Sequence, residues 1–320
     1  MSPSDASDRP PTDPRPRPRR GSTGARLALW VLATILMLAA ASYQERTGPT
    51  YPVRGTLQVG DTVLAYTLPR TETTPRDLRI AVPDPGPGAH GRVVYRRYPT
   101  DEPFTTLPML RERGPDGTPE LVVHLPSQPA AGKLEYRVEL DTRSDTLRIP
   151  SEAQAAAGEG MIVARYKDPV PLPLLIAHVA CMFFAMLFGM RAALGALMLP
   201  EGIGGLAWTS LWLMTIGGLI LGPFVQKHAF GAYWTGIPWG YDLTDNKTLI
   251  MWLAWAAVCA VLWRTRRRAV PPRSARAAVV GGALVMTAVY LIPHSFKGSQ
   301  LDYGQLDKGV PAQKAIETGH

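Results

Sequence analysis

Leu172-Pro173-Leu174-Leu175-Ile176-Ala177-His178-Val179-Ala180-Cys181-Met182-Phe183-Phe184-Ala185-Met186-Leu187-Phe188-Gly189-Met190 is a run of nineteen residues without one Asp, Glu, Lys or Arg. A hydrocarbon layer of about 30 Å demands close to 20 apolar residues in helical form. A soluble core rarely needs a run of that length. The pattern recurs at Leu27 to Tyr43, Leu206 to Val225, Leu249 to Trp263 and Ala277 to Ile292. A mean hydropathy near zero therefore averages over two segregated materials, long apolar runs and the charged segments between them. The expected fold is a membrane α-helical bundle of about five transmembrane helices, at 26–44, 172–190, 206–226, 248–264 and 276–293, the fourth resting on the shortest run.

The formal charge of +8 admits nucleic acid or an anionic lipid surface as a partner, and position decides between them. Arg15, Arg17, Arg19, Arg20 and Arg26 precede the first run; Arg264, Arg266, Arg267, Arg268, Arg273 and Arg276 separate the fourth from the fifth. Both clusters flank spans, as the positive-inside rule expects of cytoplasmic loops. No basic stripe with interleaved aromatics suggests a nucleic-acid surface. The N-terminus is thus expected in the cytoplasm and the segment between the first two spans outside. The outer loop Ala229 to Tyr241, with Tyr233, Trp234, Trp239 and Tyr241 among glycines, suits the headgroup region. Cys181 and Cys259 fall in different spans at different depths, which disfavours a disulfide.

Residues 1–25 are rich in Pro, Arg, Asp and Ser and are expected to be disordered. The run at 26–44 reads as an uncleaved anchor in preference to a secretory signal, although Ala39-Ala40-Ala41 offers a small-residue cleavage site. Residues 45–168 change character, to short β-branched and aromatic runs punctuated by Pro, Gly and Asp. Strands are expected at Thr56 to Thr67, Asp77 to Val82, Arg92 to Tyr98, Thr106 to Arg113, Glu120 to Leu125, Lys133 to Leu140, Thr146 to Ile149 and Met161 to Tyr166. This spacing predicts an all-β extracytoplasmic sandwich, immunoglobulin-like or fibronectin-like. Leu134-Glu135-Tyr136-Arg137-Val138-Glu139-Leu140 alternates as a strand with one buried and one wet face does. Ser151 to Gly160 reads as a linker, 169–294 as the four remaining spans and 295–320 as a polar extracytoplasmic tail.

Gly86-Pro87-Gly88-Ala89-His90-Gly91 matches the dinucleotide fingerprint by letters, but a strand follows it where a helix is needed, so it reads as an interstrand loop. Asn246-Lys247-Thr248 reads as a chance match to a glycosylation sequon. No Ser/His/Asp arrangement, HExxH, Walker A or CxxC is present. Histidine carries the chemistry. His178, His228 and His294 all fall toward the outer face of the spans, where three imidazoles can hold copper or zinc, or two can serve as axial ligands of a haem b. Met182, one turn from His178, is a candidate soft ligand. The competing reading places His228 and His294 at interfaces where a polar-tipped ring is at home. Asp242, Asp245 and Lys247, with Asp302 in the tail, read as a solvated face in preference to partners of such a ligand set.

The stretches Gly132 to Arg137, His178 to Gly189, Gly222 to Gly231, Asp242 to Thr248 and Ile292 to Ser295 resemble a family of bacterial polytopic membrane proteins with an extracytoplasmic β domain. The resemblance covers most of the chain after about Tyr51 and implies this architecture, but no activity, ligand or site residue. The favoured function is that of a non-enzymatic accessory or assembly subunit, lodged in the lipid bilayer, whose β-sandwich binds a partner protein of a larger membrane complex, one of electron transfer among the candidates. The alternative is a haem- or metal-binding redox protein using His178, His228 and His294.

Overall fold

The computed structural model describes residues 22–142, 146–156, 158, 160–268, 270–293 and 299–317. The segment expected to be disordered lies almost wholly outside them, as does His294. Among the described residues, five helices are long and apolar enough to cross a membrane: Thr23–Thr47, Leu172–Met198, Ile203–Phe230, Leu243–Arg264 and Arg273–Leu291. Helix α1 (Thr23–Thr47) starts where Ser22 Oγ accepts from the Ala25 amide at 3.2 Å. After a single turn α2 (Glu152–Ala156) in the expected linker, α3 (Leu172–Met198) continues well past the expected end at 190. Arg191 does not stop it, because its side chain is covered by the bundle.

The third long helix is not uniform. It consists of α4 (Ile203–Met214), a π-helical segment Thr215–Leu221 and α5 (Gly222–Phe230). Pro223 lacks an amide hydrogen and its ring crowds the carbonyl four residues back, and the wider π turn upstream relieves that conflict. Helix α6 (Leu243–Arg264) begins before the expected residue 248, and α7 (Arg273–Leu291) lies between Pro272 and Pro293. At the crossing of α3, α4, α6 and α7, Gly189 leaves room for Trp255, whose indole donates to Met286 Sδ at 3.0 Å. Close there too, Ser210 donates to the Ala185 carbonyl at 2.7 Å.

Among the described residues between α1 and α3 lie eleven strands. The hairpin β1 (Val53–Val59) and β2 (Thr62–Leu68) replaces the single strand expected over Thr56 to Thr67; Gly60, at φ 58°, makes the turn. The larger sheet runs in the order β3 (Thr71–Thr73), β11 (Ile162–Lys167), β9 (Lys133–Asp141), β5 (His90–Arg97), β6 (Thr105–Pro108), with β10 (Thr146–Ile149) also on β9. The smaller runs β4 (Leu78–Pro83), β8 (Pro119–Leu125), β7 (Leu110–Arg113). The expected strand Thr106 to Arg113 is therefore two strands in different sheets. Pro108 has no amide to continue the ladder, and Met109 turns inward over Gly91. All these sheets share one core, with Ile80, Leu125, Leu134, Tyr136, Val138 and Tyr166 fully buried.

The alternation of β9 holds, but its second face is not wet. Glu135 and Glu139 are buried there. Strand β9 is flanked on both sides, and arginines fold over its carboxylates: Arg92 reaches Glu139 at 2.7 Å, Arg137 reaches it at 2.9 Å, and Arg96 pairs with Glu135. Burial pushes the Glu139 carboxyl up, but hydrogen bonds from Arg137 and Arg92 outweigh it and hold the group below its ordinary range.

After α7, residues 299–317 form a folded strap rather than a free polar tail. It carries β12 (Gln300–Leu301), α8 (Tyr303–Asp307) and β13 (Ile316–Glu317), with a small core of Leu301, Tyr303 and Ala315. The Leu301 amide donates to the Ala131 carbonyl at 3.2 Å, and the Tyr303 hydroxyl sits 2.9 Å from both the Lys133 amide and its carbonyl. Arg97 clasps Asp307 with two nitrogens at 2.9 and 2.7 Å. The Lys133 ammonium, 8% exposed, donates to Gln300 Oε1 at 2.7 Å.

Burial, and then the nearby Arg165 charge, bring the Lys133 pKa down to about 8 from 10.5. Between those values the unfolded chain binds a proton that the folded chain does not, so stability rises with pH. In detergent, the wild type should gain about 3 kcal/mol over Lys133→Met between pH 8 and 10.5, from the free energy of one shifted pKa. Parallel thermal melting curves across that range would contradict it.

Candidate functional site

Where the bundle meets the β domain lies a chamber of about 650 Å³. Its walls come from α1, β11, α3, α5, α6, α7 and the strap. The polar wall begins with Asp242, whose Oδ1 caps α6 by accepting from the amides of Thr244 at 2.8 Å and Asp245 at 3.3 Å. Its Oδ2 accepts from the Ser299 amide at 3.1 Å and hydroxyl at 3.3 Å, which ties the strap to the bundle. One turn along, Asp245 Oδ2 accepts from the Thr235 amide at 2.6 Å and hydroxyl at 3.2 Å, closing the loop that follows α5. Gln226 donates to the same Thr235 hydroxyl.

Lys247 is 2% exposed, and its ammonium donates to the Ile292 carbonyl at the end of α7. Arg165 reaches the chamber from β11; burial lowers its pKa and the Asp242 charge opposes that shift. Among the described residues neither Arg165 nor Lys247 forms a salt bridge. Asp242, Asp245 and Lys247, at 5, 7 and 2% exposure, are thus not the solvated face expected of them. The sequence could not distinguish the two cases: a polar heptad at a span boundary is compatible with water, and only tertiary packing covers it, with the strap on Asp242, the Thr235 loop on Asp245 and the end of α7 on Lys247. Asp302 does behave as a local capping residue, accepting from the Gln305 amide at 3.1 Å.

His178 lines the same chamber. Its Nδ1 lies 2.9 Å from the Gly217 carbonyl, which also accepts the Gly222 amide in the π segment. A carbonyl can only accept, so Nδ1 carries the proton and the Nε2 lone pair is left for another partner. The close approach of α3 and α6 to the π segment depends on glycine: a Cβ at Gly217 would sit 2.7 Å from Cys181 Cβ of α3, and one at Gly218 would sit 2.6 Å from Thr248 Cγ2 of α6. Met182 also lines the chamber and packs against both glycines.

His228 lies in the last turn of α5 and is exposed, while His294 falls outside the described residues, so the convergence expected of His178, His228 and His294 is not measurable here. No cluster of three or more His, Cys, Asp or Glu side chains able to hold a metal occurs among the described residues. Cys181 and Cys259 are free.

The remaining wall is apolar, formed by Leu38, Leu175, Val179, Met182, Phe183 and Met251. The residues that sequence reasoning missed are Arg165 and Ser299. Arg165 sits in an ordinary strand alternation and Ser299 in a polar tail, so neither carries a local signal. The arrangement can bind and orient an amphiphilic molecule. Compared with protein-family models, curated proteins and solved structures, the chain has no significant match to any of them.

Proposed function

We propose that this chain is an integral protein of the bacterial cytoplasmic membrane, with five spans and an extracytoplasmic sandwich domain, whose role is binding rather than catalysis. The chamber between bundle and β domain holds a ligand, and the protein acts as an accessory or assembly subunit of a larger membrane complex. The observation that carries this reading is the chamber itself. Three segments far apart in sequence bring Arg165, Asp242, Lys247 and Ser299 around one cavity, with the last three buried and Arg165 half-buried. Buried polar groups of this kind are costly unless something meets their hydrogen-bonding capacity.

The sidedness rests on charge. Arg26, Arg264 and Arg276 belong to the bundle end opposite the β domain, and arginine-rich ends remain in the cytoplasm. The immunoglobulin-like or fibronectin-like form of the β domain is supported by two antiparallel-rich sheets facing one core. Alkaline phosphatase fused at Gly114 should be active and at Arg268 inactive; the reverse pattern overturns the topology. Full-length protein purified in mild detergent should retain close to one small molecule per chain by native mass spectrometry. Retention of nothing, together with no binding from a panel of lipids and soluble metabolites, ends the chamber reading.

One observation favours the haem or metal alternative, namely His178 in the chamber wall with its Nδ1 on the Gly217 carbonyl, which leaves Nε2 for another partner. A Soret band, or near-stoichiometric copper or zinc, that disappears in His178→Ala would establish it.

A further inference from the structure

The chamber does not end at its polar wall. Beside it, between α1 and α3, lies a groove of about 550 Å³ lined by Met37, Ile176, Ala180, Phe184 and Leu187 together with Leu175, Val179 and Phe183. The last three also line the chamber, so the two spaces adjoin. Leu175, Val179, Phe183 and Leu187 recur every four residues on one face of α3, which at 1.5 Å per residue makes a track of about 18 Å along the helix. Its wall is almost wholly hydrocarbon and aromatic, and Ile176 and Phe184 are exposed, so the track opens sideways where lipid would lie.

The chemistry of the head follows from counting donors and acceptors. Both oxygens of Asp242 are already taken by Thr244, Asp245 and Ser299, and Asp245 Oδ2 by Thr235. The cations are not spent in this way. Lys247 has given one of its three protons to Ile292, and the Arg165 guanidinium forms no side-chain hydrogen bond among the described residues. The enclosed part of the wall therefore has spare donors in Arg165 and Lys247, with acceptor capacity left at Asp245 Oδ1 and, on the exposed rim, at Glu45. A guanidinium and an ammonium facing one cavity fit a head rich in acceptor oxygens, and a phosphate meets both.

We propose that the chamber and groove together hold one anionic phospholipid drawn from the bilayer, its phosphate between Arg165 and Lys247 and one acyl chain along the Leu175 to Leu187 face of α3. The inference rests on the chamber reading above and adds the ligand class. A lipid on any transmembrane surface has its chains against apolar side chains. Here its head is also enclosed by the β domain and strap, which makes the site selective and slow to exchange.

The test uses full-length protein in nanodiscs of phosphatidylcholine, titrated with pyrene-labelled phosphatidylglycerol, pyrene-labelled phosphatidylcholine and, as the soluble arm, glycerol phosphate. Phosphatidylglycerol should bind at least tenfold more tightly than phosphatidylcholine, and glycerol phosphate should not compete at millimolar concentration. The double variant Arg165→Gln, Lys247→Met should lose the preference between the two lipids. Val179→Trp, which fills the groove and leaves the charges in place, should weaken both lipids. Helical content and melting temperature of each variant identify those that fold, and for a misfolded double variant Arg165→Gln alone serves.

Equal affinity for the two lipids in the wild type overturns the proposal, as does unchanged preference in the folded charge variant. Displacement by glycerol phosphate assigns the chamber to a soluble ligand and overturns the lipid assignment alone. Retention of a neutral molecule has the same consequence. Retention of nothing from any arm removes the chamber reading as well.

Discussion

Asp242→Ala is expected to lower the stability of the folded protein by about 3 kcal/mol, the sum of a lost helix N-cap and of buried donors left without an acceptor. One oxygen of Asp242 caps α6 and the other holds the amide and hydroxyl of Ser299, both in surroundings closed to water. Alanine also removes the charge that partly offsets the burial of Arg165. The loss should be local before it is global. Residues 299–317 should exchange amide hydrogens faster and become open to protease at temperatures where the bundle and β domain still hold. Asp242→Asn separates the two functions: its carbonyl oxygen can still cap α6, but its amide then faces the Ser299 amide, donor against donor. It should keep most of the helix and release the strap. An unchanged melting temperature and strap protection in Asp242→Ala would mean that these contacts contribute nothing.

Gly189→Leu is the second change with a large expected effect, a loss of more than about 3 kcal/mol at a site that cannot accept volume. A Cβ at this position would lie 2.7 Å from Met286 Cε, 2.8 Å from Trp255 Cζ2 and 3.1 Å from Ser210 Oγ. Met286 can swing its terminal methyl aside. Trp255 cannot, because it is fully buried and its indole is hydrogen-bonded to the sulfur of that same Met286. The rest of a leucine side chain has to separate α3 from α6 and α7, and it disturbs the hydrogen bond from Ser210 to Ala185. Gly204→Leu and Gly281→Leu are the matched controls, since a Cβ at either meets no atom within 4 Å. Leucine also favours a helix over glycine, so these controls should melt at or above the wild-type temperature. Similar losses at all three positions would show that leucine itself, and not the crossing, is the cause.

Much of the architecture is legible in the residues. A run such as Leu172 to Met190 has few fates other than a long helix, and the five runs became the five long helices. Their ends were less legible. Arg191 and the pair Asp245 and Lys247 look like span boundaries because charge is costly in an apolar layer. Each lies within a helix because neighbouring elements cover it. The strands of the β domain were legible where alternation is strong, as in β9, and blurred where a turn or a change of sheet is made by one residue, as at Gly60 and Met109.

The histidines show where local reading stops. Depth along a helix follows from counting residues, and it raised His178 above the rest. Azimuth does not, and it is azimuth that turns His178 into the chamber and leaves His228 exposed. By itself, then, the sequence determined what is periodic or cumulative: five apolar helices, a strand-rich insertion after the first, and arginine concentrated at one set of helix ends. Those properties depend on the side chains of neighbouring residues and survive any rearrangement of the elements. The chamber was decided only by the tertiary structure. Arg165, His178, Asp242, Lys247 and Ser299 come from β11, α3, α6 with its N-cap, and the strap, and none of these elements records in its local sequence which others it will face. Their burial depends on the β domain and the strap closing over the bundle. That closure is a product of long-range packing, in which every partner lies tens to hundreds of residues away.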